Sequence, residues 1–231
     1  MQINENSESY QEKLYELAVF LFLIIPSMLL SFFLIRGQKN QSFVLTAIFT
    51  MLRDLGLVNL LLFFLWRNGE SWERLGWNFK NGWKDVVLGS VLFVPTFLTA
   101  GLLDSYLQAA GFSTPKNPMP AFLEARDGAE LALAFFLVII VAIAEETIFR
   151  GYLLLRFQEV RLTPYTAVLW SALIFSLGHG YEGASGVVTV GFMGAVFALV
   201  YLWRGSLVAP MVMHFLQDFI GIVLAPWLGL K

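Results

Sequence analysis

The stretch LALAFFLVIIVAIAEETIFRGYLLL, residues 131–155, decides the fold of this chain. At about 1.5 Å rise per residue it is long enough to cross a hydrocarbon core of roughly 30 Å as a helix. Glu145, Glu146 and Arg150 interrupt the apolar run, where lipid penalises ionisable groups strongly. The stretch therefore predicts a transmembrane helix that holds polar chemistry inside the membrane.

The whole chain has the composition of a membrane protein. Of its 231 residues 58% are hydrophobic and only 14% are charged, which leaves too much apolar surface for a water-soluble domain. The net charge of -2 provides no basic surface for nucleic acid. The sequence contains no cysteine, so disulfides, thiolate metal sites and a cysteine nucleophile are excluded.

We predict an all-α, polytopic bundle of about seven transmembrane helices, within a range of six to eight. Residues 1–231 are treated as a single integral membrane domain, and the first apolar run is interpreted as a retained span. A tryptophan-rich and basic segment, residues 66–84, suits the headgroup layer and is predicted to be an interfacial amphipathic segment. The expected spans are residues 17–35, 43–66, 86–103, 131–155, 162–181, 183–203 and 206–230.

Two charged clusters interrupt the predicted spans. In the second span the adjacent Arg53 and Asp54 are interpreted as a structural pair. In the fourth, Glu146 and Arg150 are four residues apart, so helical geometry places them on one face where they can pair. Glu145 lies about 100° round the helix from Glu146 and needs another partner. Arg150 is expected to support this helix or to bind a substrate carboxylate.

Both histidines of the chain also fall in predicted spans. His179 ends the fifth span, while His214 and Asp218 lie four residues apart in the seventh. If these helices point their polar groups inward, two imidazoles share a cavity with the carboxylates of the fourth span. Such a constellation indicates function more strongly than any of its members alone.

With these residues the sequence resembles the CPBP or Abi intramembrane proteases, a family that includes the type II CAAX prenyl endopeptidases. The resemblance covers residues 131–230, the expected catalytic helical core. Its three ordered motifs are Glu-Glu-x-x-x-Arg at Glu145, Glu146 and Arg150, Phe-x-x-x-His at Phe175 and His179, and His-x-x-x-Asp/Asn at His214 and Asp218.

The resemblance implies hydrolysis of a peptide bond in a membrane-associated peptide or protein, hydrophobic or prenylated. Glu145, supported by His179, is expected to take a proton from water and deliver it to the leaving amine. His214 with Asp218 is expected to stabilise the oxyanion or to bind metal. Glu146 is expected to act as support, together with the arginine of its motif.

Asp218 stands where similar proteins have asparagine. An ionised carboxylate cannot donate to an oxyanion, so Asp218 is protonated, orients His214, or binds metal. Glu145, His179, His214 and Asp218 are the candidate ligands of a Zn²⁺ site, since imidazoles and carboxylates form a suitable set. The chain lacks a His-Glu-x-x-His helix, and the sequence leaves the zinc-dependent and metal-free routes open.

The sequence also permits two other functions. One is a non-proteolytic membrane protein of the same fold, such as a bacteriocin self-immunity factor or a scaffold. The other is a small transporter that uses Glu145 and the histidines as a proton relay. The expected partners are membrane lipid and a hydrophobic or lipidated peptide. The expected location is multi-pass in a bacterial or archaeal cell membrane.

Overall fold

The fold is seen in a computed structural model that describes residues 2–36, 42–115 and 122–229. Within these ranges the chain forms helices joined by turns, and no strand occurs in them. The prediction of an all-α protein is confirmed.

Seven helices form the bundle in the described residues. They are α1 (Gln2–Leu30), α2 (Phe43–Arg67), α3 (Gly82–Ala109), α4 (Gly128–Glu159), α5 (Pro164–Leu177), α6 (Gly183–Arg204) and α7 (Val208–Trp227). Short 3-10 helices occupy Ser31–Arg36, Trp72–Leu75 and Gly180–Glu182. Two π-helical segments, Thr147–Leu153 in α4 and Phe219–Leu224 in α7, each lie close after an acidic motif residue.

Six of these helices are long and apolar enough to cross a membrane. The protein is therefore an integral, multi-pass membrane protein, as predicted. The remaining helix, α5, is apolar but has only 14 residues, so it is shorter than the expected span at 162–181. The chain leaves the helix after Leu177 and is held against the end of α1, where Gly180 donates its N–H to Ser31 Oγ at 2.9 Å.

Several helices extend beyond the apolar stretches that predicted them. α4 begins at Gly128 because Asp127 caps it, with Oδ1 accepting from the N–H of Glu130 at 2.9 Å. Hydropathy marks only the apolar length of such a helix, so the spans predicted from it leave out the polar ends. The expected end of the last span, Leu230, lies outside the described residues.

The predicted interfacial segment is a connection between α2 and α3 rather than a continuous helix. The 3-10 helix Trp72–Leu75 is its only helical part between Arg67 and Gly82. Trp66, Trp72 and Trp83 expose their rings, as tryptophans in a headgroup layer do. Placement of this segment at the membrane surface stays a prediction.

α4 occupies the centre of the bundle. It packs against α2 on one side and α7 on the other, while α3 packs against α6 and α7, and α5 packs against α6. At Gly89 the backbones of α3 and α7 approach so closely that a Cβ atom would lie 2.6 Å from the carbonyl oxygen of Ala209. Side chains of α4 therefore face other helices along much of its length.

A buried charge cluster ties α1 and α2 to the carboxyl end of α4. Arg156 is fully buried and lies 2.8 Å from a carboxylate oxygen of each of Glu16, Glu70 and Glu159. Lys13 adds a contact of 2.9 Å to Glu159. Since these carboxylates come from α1, from the segment after α2 and from α4, one guanidinium connects three parts of the bundle.

We expect Arg156→Met to lower the melting temperature of the detergent-purified protein by several degrees. Breaking a buried ion pair from one side typically costs about 3–5 kcal/mol, because it leaves the partner charges uncompensated. The control is Arg67→Met, since Arg67 is exposed and forms no ion pair within the described residues. Equal melting temperatures for the two variants would show that the cluster does not stabilise the fold.

Candidate active site

A cavity of about 880 Å³ lies inside the bundle, between α1, α2, α4, α7 and the segment that follows α5. Ligand sites in proteins commonly have volumes of about 300–1,000 Å³. Its ionisable lining residues are Arg53, Asp54, Glu145, His179, Tyr181, Glu182, His214 and Asp218. The four side chains expected to carry out catalysis therefore face one cavity, whereas Glu146 and Arg150 lie behind its wall.

Glu146 links α4 to α7 through a single oxygen atom. Its Oε1 lies 2.6 Å from Arg150 Nη1 and 2.8 Å from His214 Nδ1, and the carboxylate is fully buried. The bond to Arg150 is the helical pair predicted from the spacing. With Glu146 as the acceptor, Nδ1 of His214 carries a proton and Nε2 is directed to the cavity.

Arg150 is enclosed by protein on every side. Besides Glu146, its guanidinium binds the carbonyl oxygen of Gly194 at 3.2 Å and lies 4.3 Å from the centre of the Phe175 ring. A Cβ atom at residue 194 would come within 3.1 Å of Arg150 Nη2, so the glycine leaves room for the guanidinium. Because Arg150 is completely buried, its position favours the structural role over binding of a substrate carboxylate.

Glu145 projects into the cavity between an imidazole and a guanidinium. Its Oε2 lies 3.9 Å from His214 Nε2 and its Oε1 lies 3.9 Å from Arg53 Nη2. Both distances exceed a hydrogen bond, and 16% of the side chain is exposed. The carboxylate therefore has free lone pairs facing a space that a water molecule can enter.

Asp218 lies on the cavity side of His214. Its Oδ2 is 3.4 Å from His214 Nε2, which agrees with the predicted pair on one face of the helix. Orientation of His214 was one of the roles considered for Asp218. Glu146 holds the opposite ring nitrogen at the shorter distance of 2.8 Å, so the His214 ring lies between two carboxylates and the role of Asp218 stays a prediction.

His179 is held by its own helix end. Its Nδ1 lies 3.3 Å from the carbonyl oxygen of Phe175, and its ring packs against Phe175 and Tyr181. Across the described part of the chain, no hydrogen bond or ion pair joins His179 to Glu145. Both side chains line the same cavity without a direct bond between them, and the support of Glu145 by His179 stays a prediction.

Sequence reasoning missed two groups of cavity residues. Arg53 and Asp54, interpreted as a structural pair, do bind each other at 2.8 Å, but both also line the cavity. Their position in the middle of a predicted span was a signal for this role. Tyr181 and Glu182 gave no such signal, because they lie where one apolar stretch ends and the next begins.

Three side-chain oxygen atoms in this part of the bundle are buried and have no hydrogen-bond partner among residues 2–36, 42–115 and 122–229. They are Asp54 Oδ2, Glu146 Oε2 and Gln217 Oε1. Buried polar atoms in proteins are nearly always hydrogen-bonded, so this concentration of unpaired oxygens is unusual.

The candidate zinc ligands do not form a metal site in this arrangement. Within the described ranges, no three histidine, aspartate or glutamate side chains are grouped so that they can hold a metal ion. Nδ1 of His214 is bonded to Glu146, and Nδ1 of His179 contacts a backbone carbonyl, which leaves Nε2 of each ring free, as is usual for histidines that bind metal. The side chains are therefore not grouped as a zinc centre, although each ring keeps a nitrogen that could bind one.

The fold and the site together define a class: multi-pass helical membrane proteins that enclose carboxylates and imidazoles in an internal cavity. Residues 127–220 match the family model described as type II CAAX prenyl endopeptidase Rce1-like. The match runs from the start of α4 into α7 and includes all three motifs. It confirms the resemblance of this segment to the CAAX prenyl endopeptidases. No curated protein and no solved structure matches the chain.

The same substitution should change the melting temperature at Glu146 but not at the adjacent Glu145. Among the described residues, Glu146 provides the one carboxylate bonded to buried Arg150. Because Glu146→Gln removes this carboxylate, we expect the melting temperature to fall by several degrees, in line with a cost of about 3–5 kcal/mol. Glu145→Gln should leave it nearly unchanged, because Glu145 makes no hydrogen bond to the described residues. Similar shifts for both variants in detergent would contradict this division.

Proposed function

We propose that this protein is an intramembrane endopeptidase that hydrolyses a peptide bond in a hydrophobic or lipidated peptide, with Glu145 as general base and without a catalytic metal. The observation that supports this most is the position of Glu145. A carboxylate that faces an internal cavity, unbonded and flanked by an imidazole and a guanidinium at 3.9 Å, can bind and deprotonate water.

In the first step, water bonded to Glu145 attacks the carbonyl carbon of the substrate. A carbon–oxygen bond forms, the carbonyl electron pair moves to oxygen, and Glu145 takes the proton of water. In the second step, the oxyanion collapses to a carboxyl group and the carbon–nitrogen bond breaks. Glu145 delivers the proton to the leaving nitrogen, so the products are an acid and an amine.

His214 stabilises the tetrahedral intermediate in this proposal. Its Nδ1 is held by Glu146, so a doubly protonated ring can donate from Nε2 into the cavity. Glu146 and Asp218 supply counter-charges on either side of the ring, at 2.8 and 3.4 Å. Fixing the donor before the substrate binds is what makes such stabilisation effective.

His179 acts through water rather than by direct contact. With Nδ1 donating to the Phe175 carbonyl, Nε2 is an acceptor that can hold a water molecule in the cavity it shares with Glu145. This arrangement retains the support of Glu145 that the family motifs imply. It also accounts for the absence of a direct bond between the two side chains.

The walls of the cavity favour an amphiphilic substrate. Ser42, Thr46 and Thr50, spaced four residues apart, line it from α2 and offer hydroxyl groups, whereas Leu137 and Val141 of α4 line it with apolar surface. A peptide can bind the hydroxyl groups while a hydrophobic side chain or lipid lies against α4. A prenyl group is one such lipid, and it is suggested by the description of the family alone.

Cleavage by the purified protein is the test of this proposal. Incubated with a library of hydrophobic and prenylated peptides, the wild-type protein should release products, and Glu145→Gln should lower kcat by about 10²–10⁴-fold through loss of the general base. His214→Gln should lower it by about 10²–10³-fold. Glu12→Gln, an exposed change on α1, is the matched control. Binding without cleavage, or cleavage that survives both site variants, would contradict the proposal.

Metal removal tests the metal-free route separately. Because the side chains around Glu145 do not group as metal ligands, we expect full activity after prolonged treatment with a chelator and exhaustive dialysis. Added Zn²⁺ should not raise the rate. A loss of activity that stoichiometric Zn²⁺ restores would assign catalysis to a bound metal instead.

A further inference from the structure

We propose that Arg53 is a further catalytic residue, whose guanidinium donates a hydrogen bond to the oxyanion. It supplies from α2 a hydrogen-bond donor that an ionised Asp218 cannot provide. This inference rests on the hydrolytic function proposed above. It assigns a reaction role to a residue outside the segment that matches the family, since the match begins at residue 127.

Arg53 lies at a depth in the membrane where a charged side chain is costly, yet its side chain is partly exposed. It lies near the middle of α2, a helix long and apolar enough to span the membrane. Arg53 lines the cavity, and 43% of its side chain is exposed. Ionisable groups at such depth usually face water-filled cavities and serve function.

Asp54 holds the guanidinium in one orientation. Its Oδ1 lies 2.8 Å from Arg53 Nε and 2.7 Å from Nη2, and only 2% of the Asp54 side chain is exposed. An arginine has five N–H donors, and this contact uses one edge of the fork. Nη1 and the second hydrogen of Nη2 stay available to the cavity, so the donors are positioned before a substrate arrives.

Arg53 lies close to the place where the oxyanion of the tetrahedral intermediate forms. Arg53 Nη2 and His214 Nε2 each lie 3.9 Å from a different oxygen of Glu145. Water bonded to Glu145 attacks a carbon about 3 Å away, so the oxyanion forms within hydrogen-bond reach of both cations. Arg53 donates without losing its proton, and the proton balance of the reaction is unchanged.

Asp218 explains why a second donor is needed. An ionised carboxylate has no hydrogen to donate, and its Oδ2 lies 3.4 Å from His214 Nε2, where it competes for the proton that His214 would offer to the oxyanion. An asparagine at this position would add a donor instead. The guanidinium of Arg53 compensates for that difference from the opposite side of Glu145.

Recognition of a substrate's terminal carboxylate fits the geometry less well. An extended peptide advances about 3.3–3.6 Å per residue. A carboxylate two or more residues beyond the cleaved bond would lie well past a guanidinium that is 3.9 Å from the general base. Arg53 is therefore placed for the reacting carbonyl, and the terminal carboxylate becomes an outcome that the experiment distinguishes.

The experiment compares kcat and KM of wild-type protein, Arg53→Gln and Glu145→Gln on one cleaved peptide, made as the free acid and as the C-terminal amide. We expect Arg53→Gln to lower kcat by about 10²–10³-fold on both forms, with KM within about twofold, because the lost interaction exists only in the transition state. Glu145→Gln should be inactive on both forms.

The substitution Asp218→Asn provides an independent readout. With asparagine restored as a donor, adding Arg53→Gln should lower kcat much less than it does beside Asp218, so the two changes should be non-additive. A purely structural role for Arg53 predicts the same loss in both backgrounds, together with a lower melting temperature.

Each result supports or overturns the inference. Wild-type kcat in Arg53→Gln, while Glu145→Gln is inactive, overturns it and leaves the proposed function in place. A rise in KM confined to the free acid assigns Arg53 to substrate carboxylate binding instead. If Arg53→Gln does not fold, Arg53→Lys replaces it, because lysine lacks the planar guanidinium that orients the donors. An unchanged kcat of Arg53→Lys would contradict the need for that guanidinium. Absence of cleavage by the wild-type protein removes both proposals.

Discussion

The rest of the site depends on one oxygen atom, Oε1 of Glu146, which binds Arg150 and His214 at the same time. This contact lies in the dry interior between α4 and α7, where an unpaired charge would be very costly. It fixes the relative position of the two helices and the orientation of the His214 ring. Since Glu145 is the neighbouring residue on α4, satisfying Glu146 in the interior turns Glu145 toward the cavity.

The protein thus keeps two kinds of charge inside the membrane. Glu146 and Arg150 are sealed, with Phe175 and Gly194 closing around the guanidinium, and they maintain the structure. Arg53 and Glu145 face the cavity, where water can solvate them and a substrate can displace that water. The division places two adjacent glutamates in different environments, and in the proposed mechanism it supplies the charges for hydrolysis without a metal ion.

Sequence patterns predicted what depends on local geometry and hydropathy. Hydropathy predicted the helical class and the membrane location. Helical spacing predicted the pairs four residues apart, such as Glu146 with Arg150. The partner of Glu145 did not, because Arg53 is brought to it by packing of α2 on α4. The contact of His179 with the Phe175 carbonyl and the early end of α5 depend on how the chain turns at the end of α1. The hydropathy pattern likewise gave no sign of the two π-helical segments.

Hydrolysis by the proposed mechanism requires a water molecule at Glu145. An experimental structure of the protein in lipid, at a resolution that locates ordered solvent, would test this most directly. We predict a water molecule within hydrogen-bond distance of the Glu145 carboxylate, in the space between it, His214 Nε2 and Arg53. A structure in which Glu145 bonds directly to Arg53 or His214, with no solvent density between them, would contradict a hydrolytic site here.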